Sequence, residues 1–412
     1  MPVTPNRELD LLFLIDDSPG GSELEDLLSA SFPLLVDRLS ADGELVNLHL
    51  GIATSDLGTT GSDDPAHPGP PIGQLGNGGC SGAGKDGRLI TSGAMVSDAF
   101  LIDEAEAGGT RWRNYQGTLP SVAGTMIKAG GGGCGFEQHF AAIRRALTSP
   151  ANAGFLRPAA QLAVVIVADE DDCSFRTPRL LDATEPIGPL QSFRCTQQGI
   201  VCNEPLDVGT KTGCRAREDS TYVEGVAPTI ELLRRLKSDP SLISVAAIAG
   251  PTTPFAIVLR TPPGGGTAIT ALGNSCNTPF VNGETRAMDP AVRMGDLAAA
   301  FGAHGVFEPG CSTAFDMQLR AVGRVLEQNL GVACLDTSKL RDTATAAGVQ
   351  PACRAVVVNG GVEDPLPACP ANGACFDLLS DAAACPETSD HLRFVVHEGP
   401  PGAYVRARCE VP

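Results

Sequence analysis

Leu9-Asp10-Leu11-Leu12-Phe13-Leu14-Ile15-Asp16-Asp17-Ser18 and Gln161-Leu162-Ala163-Val164-Val165-Ile166-Val167-Ala168-Asp169-Glu170-Asp171-Asp172 are two apolar runs, each ending in a burst of carboxylates. A run of this length and character reads as a strand buried on both faces, as in a parallel sheet. Ligands of open α/β sheets bind just outside the carboxyl ends of such strands. Acids gathered at that edge repel one another unless a positive charge sits among them. A hard cation with oxygen ligands meets that need.

The segments around these runs complete an α/β pattern. Ser18 to Glu25 forms a turn into a helix, with Ser22 and Glu25 as a capping box and Leu24, Leu27, Leu28, Phe32 and Leu35 as its apolar stripe. Val46 to Thr54 reads as the next strand, so strand, helix and strand make a βαβ unit. Residues 57–88, rich in Gly, Pro, Asp and Ser, read as an excursion over the surface. A glycine run from Gly130 to Gly133 leads into a helix with Phe136, Phe140, Ile143 and Leu147 on one face. Residues 173–222 carry Cys173, Cys195, Cys202 and Cys214 with little periodicity and read as a disulfide-held insertion. A helix over 226–238, a strand over 242–249, a hairpin over 254–272 turning at Pro262-Pro263-Gly264-Gly265, and helices near 290–303 and over 313–330 follow. Gly331 is the expected stop of the last helix. The segment 334–412 has six cysteines, strand-like runs at 354–358, 392–397 and 403–411, and no helical signal beyond a turn near Leu378. It reads as a small disulfide-stapled β domain appended to a large α/β domain over 8–331, whose insertions span about 57–118 and 173–222.

Composition narrows the function classes. With 48 acidic against 30 basic residues and a net charge of −18, the chain is a poor match for nucleic acid or an anionic membrane surface. No apolar run is long enough to cross a bilayer as a helix. The 14 cysteines contain no Cys-x-x-Cys pair, and the six histidines form no ligand pair at helical spacing, so disulfides fit better than zinc. Disulfides place the protein outside the reducing cytosol, although Met1 to Glu8 is too short and polar to be an export signal. The expected pairs are Cys80–Cys134, Cys195–Cys202, Cys173–Cys214 and Cys276–Cys311; sequence does not choose among the connectivities of the last six cysteines.

At this point the pattern resembles the von Willebrand factor type A domain over residues 8–331, especially the cysteine-rich, exported bacterial members that are often lipoproteins. The family's Asp-x-Ser-x-Ser loop is matched by Asp16-Asp17-Ser18-Pro19-Gly20, and its later acidic ligand by Asp169. The resemblance implies a doubly wound, mostly parallel, Rossmann-like α/β sheet. It also implies a metal-ion-dependent adhesion site holding Mg²⁺ or Ca²⁺, with one coordination position open for a partner's carboxylate. Two family ligands are absent: Gly20 has no hydroxyl, and Cys134 stands where the second loop supplies a Thr. Glu137, at the start of the following helix, is the stand-in, and Asp56 at the end of the second strand is a weaker candidate.

The expected metal ligands are therefore Asp16, Ser18, Asp169 and Glu137, with no catalytic residues. Against this stands a structural reading of each: strand-end acids that cap helices, Ser18 as a turn residue, Glu137 as a first-turn acid. Glu170, Asp171 and Asp172 read as solvated loop charges. Three functions follow. The first is a non-enzymatic cell-surface or periplasmic adhesion protein with a weak, degenerate metal site and a protein ligand. The alternative is a scaffold whose site has decayed and which binds through its insertions. The third, a phosphoryl hydrolase, lacks the second Asp two residues after the first and a phosphate-clamping Lys or Arg at a strand end.

Overall fold

The computed structural model describes residues 7–40, 45–106, 109–237, 239–261, 265–279, 285–330, 333–335, 337–343, 351–359, 362–382, 385, 390–399 and 404–411. In chain order the first half contains β1 (Glu8–Ile15), α1 (Ser22–Leu39), β2 (Asn47–Thr54), β3 (Leu101–Ala105), β4 (Arg111–Arg113), α2 (Leu119–Ile127), α3 (His139–Thr148) and β5 (Gln161–Val167). Next come α4 (Phe193–Gly199), β6 (Ile200–Val201), β7 (Gly209–Lys211), β8 (Arg215–Ala216), α5 (Ala227–Arg235), β9 (Ile243–Ala249), β10 (Phe255–Arg260) and β11 (Ile269–Leu272). Then follow β12 (Cys276–Pro279), β13 (Thr285–Met288), α6 (Val292–Ala299), β14 (Gly305–Pro309) and α7 (Asp316–Asn329). The last strands are β15 (Ala333–Cys334), β16 (Cys353–Asn359), β17 (Val362–Leu366), β18 (Cys375–Ser380), β19 (Leu392–His397) and β20 (Tyr404–Cys409).

The central sheet runs β14-β9-β5-β1-β2-β3-β4. Its pairs from β14 to β2 are parallel, and β3 and β4 extend it antiparallel. Period-two alternation sends the side chains of β1 to both faces. Leu11, Phe13 and Ile15 join a core with Leu28 and Phe32 of α1, Met126 of α2 and Leu319 of α7. Leu12 and Leu14 join a second core with Phe140 and Ile143 of α3, Leu233 of α5 and Met294 of α6. Helices thus cover both faces, and the expected doubly wound, mostly parallel sheet is present. The parallel register sets Ile15 beside Thr54 and Val167, and Val167 beside Ile248, so the loops after β1, β2, β5 and β9 emerge at one edge.

Several local expectations are corrected. The Ser22–Glu25 capping box does not form: Gly21 is the N-cap, and Glu25 turns inward to accept a hydrogen bond from Gly130 N at 3.1 Å. Loop 57–88 carries no strand or helix, but the inserted chain beyond it contributes β3 and β4, which the sequence reading did not assign. Leu378 lies in strand β18 rather than a helical turn. Cys173 pairs with Cys195 and Cys202 with Cys214, replacing the expected Cys195–Cys202 and Cys173–Cys214. Cys195 lies in α4, on the far side of β6 from Cys202, so the segment between them is no hairpin. The other two expected pairs, Cys80–Cys134 and Cys276–Cys311, are formed. Strands β10 and β11 form the expected hairpin; residues 262–264 of its turn and Gly331 lie outside the described residues.

The C-terminal strands form two antiparallel sheets, β15-β19-β18 and β17-β16-β20. They share a core of Ala355, Val357, Leu366, Phe376, Phe394 and Val405, with the Phe376 and Phe394 rings stacked at 4.8 Å. Disulfides Cys334–Cys385, Cys353–Cys409 and Cys369–Cys375 join these segments.

Candidate metal centre

Asp16, Asp17 and Ser18 follow β1 directly, and all are buried. The Asp16 backbone is fixed by its N–H donating to Val167 O at 2.9 Å, and its Oδ1 accepts from Ser18 N at 2.8 Å. Its Oδ2 has no donor among the described residues other than a proton shared with Asp169. Asp17 points the other way and is paired with Lys85 Nζ at 2.5 Å, a lysine of the 57–88 excursion. The glycine run explains itself here: Gly133 N donates to Asp17 O at 2.7 Å, and a Cβ on Gly133 would sit 2.6 Å from Asp17 Oδ1.

Asp169, after β5, lies against the β1 loop. A Cβ on Gly20 would meet Asp169 Oδ2 at 2.2 Å, while Asp169 Oδ1 has no hydrogen bond among the described residues. Cys134 is consumed by its disulfide with Cys80 and offers no ligand. Glu137 is buried on the same edge, where Glu170, Asp16 and Asp169 all add to its electrostatic load. Asp56 serves its own turn, accepting from Gly58 N at 2.8 Å.

The acids after Asp169 are not solvated charges. Asp172 is fully buried, pairs with Arg293 at 2.7 Å and caps α3 by accepting from Phe140 N at 2.8 Å. Asp171 accepts from Arg293 N at 2.9 Å and Met294 N at 3.2 Å, capping α6. Glu170 turns into a cavity of about 20 Å³ also lined by Glu137, Ser192 and Asp289, which has room for about one water molecule or ion.

Sequence reading placed residues 134–138 at this edge but gave Gln138 no role, and it missed Thr54, Ser55 and His139. Thr54 ends β2 and Ser55 follows it, while Gln138 and His139 open α3; all four are buried, and Thr54 Oγ1, Ser55 Oγ, both amide atoms of Gln138 and both ring nitrogens of His139 have no hydrogen bond among the described residues. The signal was faint, since a Gln-His pair before an apolar stripe reads as an ordinary helix start.

Electrostatics separate this edge from the rest of the sheet. At the opposite end of β1, fully buried Asp10 is matched by Arg157 at 2.8 Å and Lys237 at 3.0 Å. Asp16 and Asp169 have no ion pair among the described residues. Burial, then the charge of Asp169, pushes Asp16 up to about 7. Burial, then Glu170, pushes Asp169 up to about 6. Burial, then Glu170 and Asp16, also raises Glu137 well above the carboxylate range, and burial holds the His139 imidazole down.

Donor chemistry fits a hard divalent ion: the open atoms Asp16 Oδ2 and Asp169 Oδ1 are carboxylate oxygens, with Ser18 in the same loop. The fit is partial. Among the described residues, the only three His, Cys, Asp or Glu side chains with ligand atoms within 4.8 Å of one another are Cys369, Asp377 and His397. Cys369 is tied up in its disulfide, so that trio offers no thiolate.

No protein-family model matches the chain, and no curated protein matches it. Similar solved structures include the conserved hypothetical protein BatB of Bacteroides thetaiotaomicron, at 10% identity over 77% of this chain and 97% of that one, TM-score 0.29. An aerotolerance-related membrane protein of Bacteroides fragilis is 11% identical over 77% of this chain and 98% of that one, TM-score 0.26. A von Willebrand factor type A protein of Catenulispora acidiphila is 10% identical over 97% of this chain and 56% of that one, TM-score 0.31. The α/β assignment itself rests on the strand order and register described above.

Proposed function

We propose that this chain is a non-enzymatic binding protein of the cell surface or periplasm that captures a partner protein's carboxylate through a weakly held Mg²⁺ or Ca²⁺. Asp16, Ser18 and Asp169 would hold the ion, with Glu137 adding negative charge behind them. The ion would supply a Lewis-acidic position for the partner; the chain's own residues orient the loop, as Ser18 N does by donating to Asp16 Oδ1. The observation that carries this reading is the contrast along β1. Asp10 has two cations beside it, whereas Asp16 and Asp169 have no ion pair among the described residues and lie close enough to share a proton between their carboxyls. Burying uncompensated carboxylates is costly, so the arrangement is understandable if a cation completes it. The seven described disulfides support an oxidising compartment.

A second reading has its own support. Gly20 and the disulfide-bonded Cys134 remove two oxygens from the set that the resemblance implies, which favours a scaffold that binds without metal. Capture from the native envelope fraction, with and without chelator, separates the two. The metal reading expects Asp16→Ala and chelator each to abolish capture. Undiminished capture in both would replace it with the scaffold reading.

A further inference from the structure

Strands β16 and β20 pair antiparallel with Arg354 opposite Arg408 and Val356 opposite Arg406. Alternation puts Ala355, Val357 and Val405 in the core and turns Arg354, Arg406 and Arg408 outward, where all three are exposed. They line a groove of about 440 Å³ with Ala352, Val356, Cys409 and two acids, Glu363 and Glu410. Like charges directly opposite on a sheet face destabilise it. Neighbouring acids do not relieve this pair: Glu363 bonds Arg406 at 2.6 Å, and Glu410 lies 3.6 Å from Arg341. Arg354 and Arg408 have no ion pair among the described residues. Three arginines against two glutamates leave this groove net positive in a chain of net charge −18.

We infer that this face docks an extended, acidic protein segment, distinct from any ligand of the metal centre. Charge complementarity calls for anions, and guanidinium forks match carboxylates bidentately. Spacing selects the form of the partner. Arg406 and Arg408 are alternate residues of one strand, about 6.8 Å apart along it, and an extended peptide presents alternate side chains at the same interval. A Glu-x-Glu segment lying along β20 would therefore set one carboxylate over the Arg354–Arg408 pair and the next beside Arg406, whose guanidinium it would share with Glu363. Val356 gives the intervening aliphatic carbons an apolar floor.

The test uses the full, disulfide-intact chain and a fluorescent octapeptide alternating Glu and Thr. Binding measured by anisotropy should fall at least about fivefold in Arg354→Gln/Arg408→Gln and by less in Arg354→Lys/Arg408→Lys, because lysine keeps charge without the fork. Both residues are exposed and their like charges oppose one another, so the melting temperature should hold or rise slightly as binding is lost. A peptide of the same composition with its glutamates in one block should bind more weakly, and inorganic phosphate should compete poorly. Chelator and Asp16→Ala should have no effect, which keeps this result separate from that of the metal centre. Equal binding by the double Gln variant, equal binding of the block peptide, or strong competition by phosphate would each overturn the inference.

Discussion

Asp169 occupies the space that a side chain at Gly20 would need: a Cβ there would lie 2.2 Å from Asp169 Oδ2. The absent hydroxyl at position 20 is thus coupled to where the later acid sits. Gly20→Ser would not restore a ligand; it would push Asp169 out of place. Calorimetry should find Mg²⁺ and Ca²⁺ binding unchanged or weaker in Gly20→Ser, with stability changed by less than about 1 kcal/mol, because Gly20 is exposed and only the end of the Asp169 side chain must move. Tighter binding would show that the two positions are independent.

Protonation should oppose the metal. Asp16 and Asp169 are raised from an ordinary value of 3.8 to about 7 and about 6. The folded chain therefore binds protons that the unfolded chain has released, and this contribution is complete below about pH 4 and lost as pH rises through about 6 to 7. In chelator, urea denaturation should find the protein more stable near about pH 5 than near about pH 8, and Asp16→Asn should flatten that slope. Added Ca²⁺ should stabilise chiefly at the higher pH, because the ion replaces protons. A wild-type slope unaltered in Asp16→Asn would remove Asp16 from the account.

Arg293 is fully buried and holds Asp172, Gly199 O and Glu224 O together. Its loss leaves Asp172 as an uncompensated buried charge. Arg293→Met should destabilise the fold by about 3–5 kcal/mol, and Arg293→Met/Asp172→Asn by clearly less than the sum of the single changes. Additive losses in urea denaturation would mean that the pair does not act as a unit.

Non-reducing peptide mapping should recover Cys173–Cys195 and Cys202–Cys214. Replacing the Cys173–Cys195 pair by serines should cost about 2–4 kcal/mol, since it frees the loop that follows Asp172. Finding Cys173 joined to Cys214 would reverse the assignment.

The sheet was legible because β1 and β5 are apolar on both faces, which few environments other than a helix-covered parallel sheet satisfy. Asp16 and Asp169 were legible for the same reason, as the first acids after those strands. The insertions were harder to read. Cys195 and Cys202 looked like the two legs of a hairpin, and the α4 turn that carries Cys195 toward Cys173 has no apolar stripe to announce it. The capping box at Ser22 and Glu25 failed because Glu25 had a competing donor more than a hundred residues away, at Gly130. Asp172 read as a loop charge because its partner Arg293 is equally remote in sequence. Local pattern cannot reveal a tertiary partner of that kind.

The proposed function depends on Asp16 and Asp169, which have no ion pair among the described residues, holding a cation between them. Isothermal titration of Ca²⁺ and Mg²⁺ into the wild-type chain and Asp169→Ala near about pH 8, where both carboxylates are ionised, tests it most directly. Weak, saturable heat is expected for the wild type and none for the variant. Equal heats in both proteins, or none in either, would contradict it.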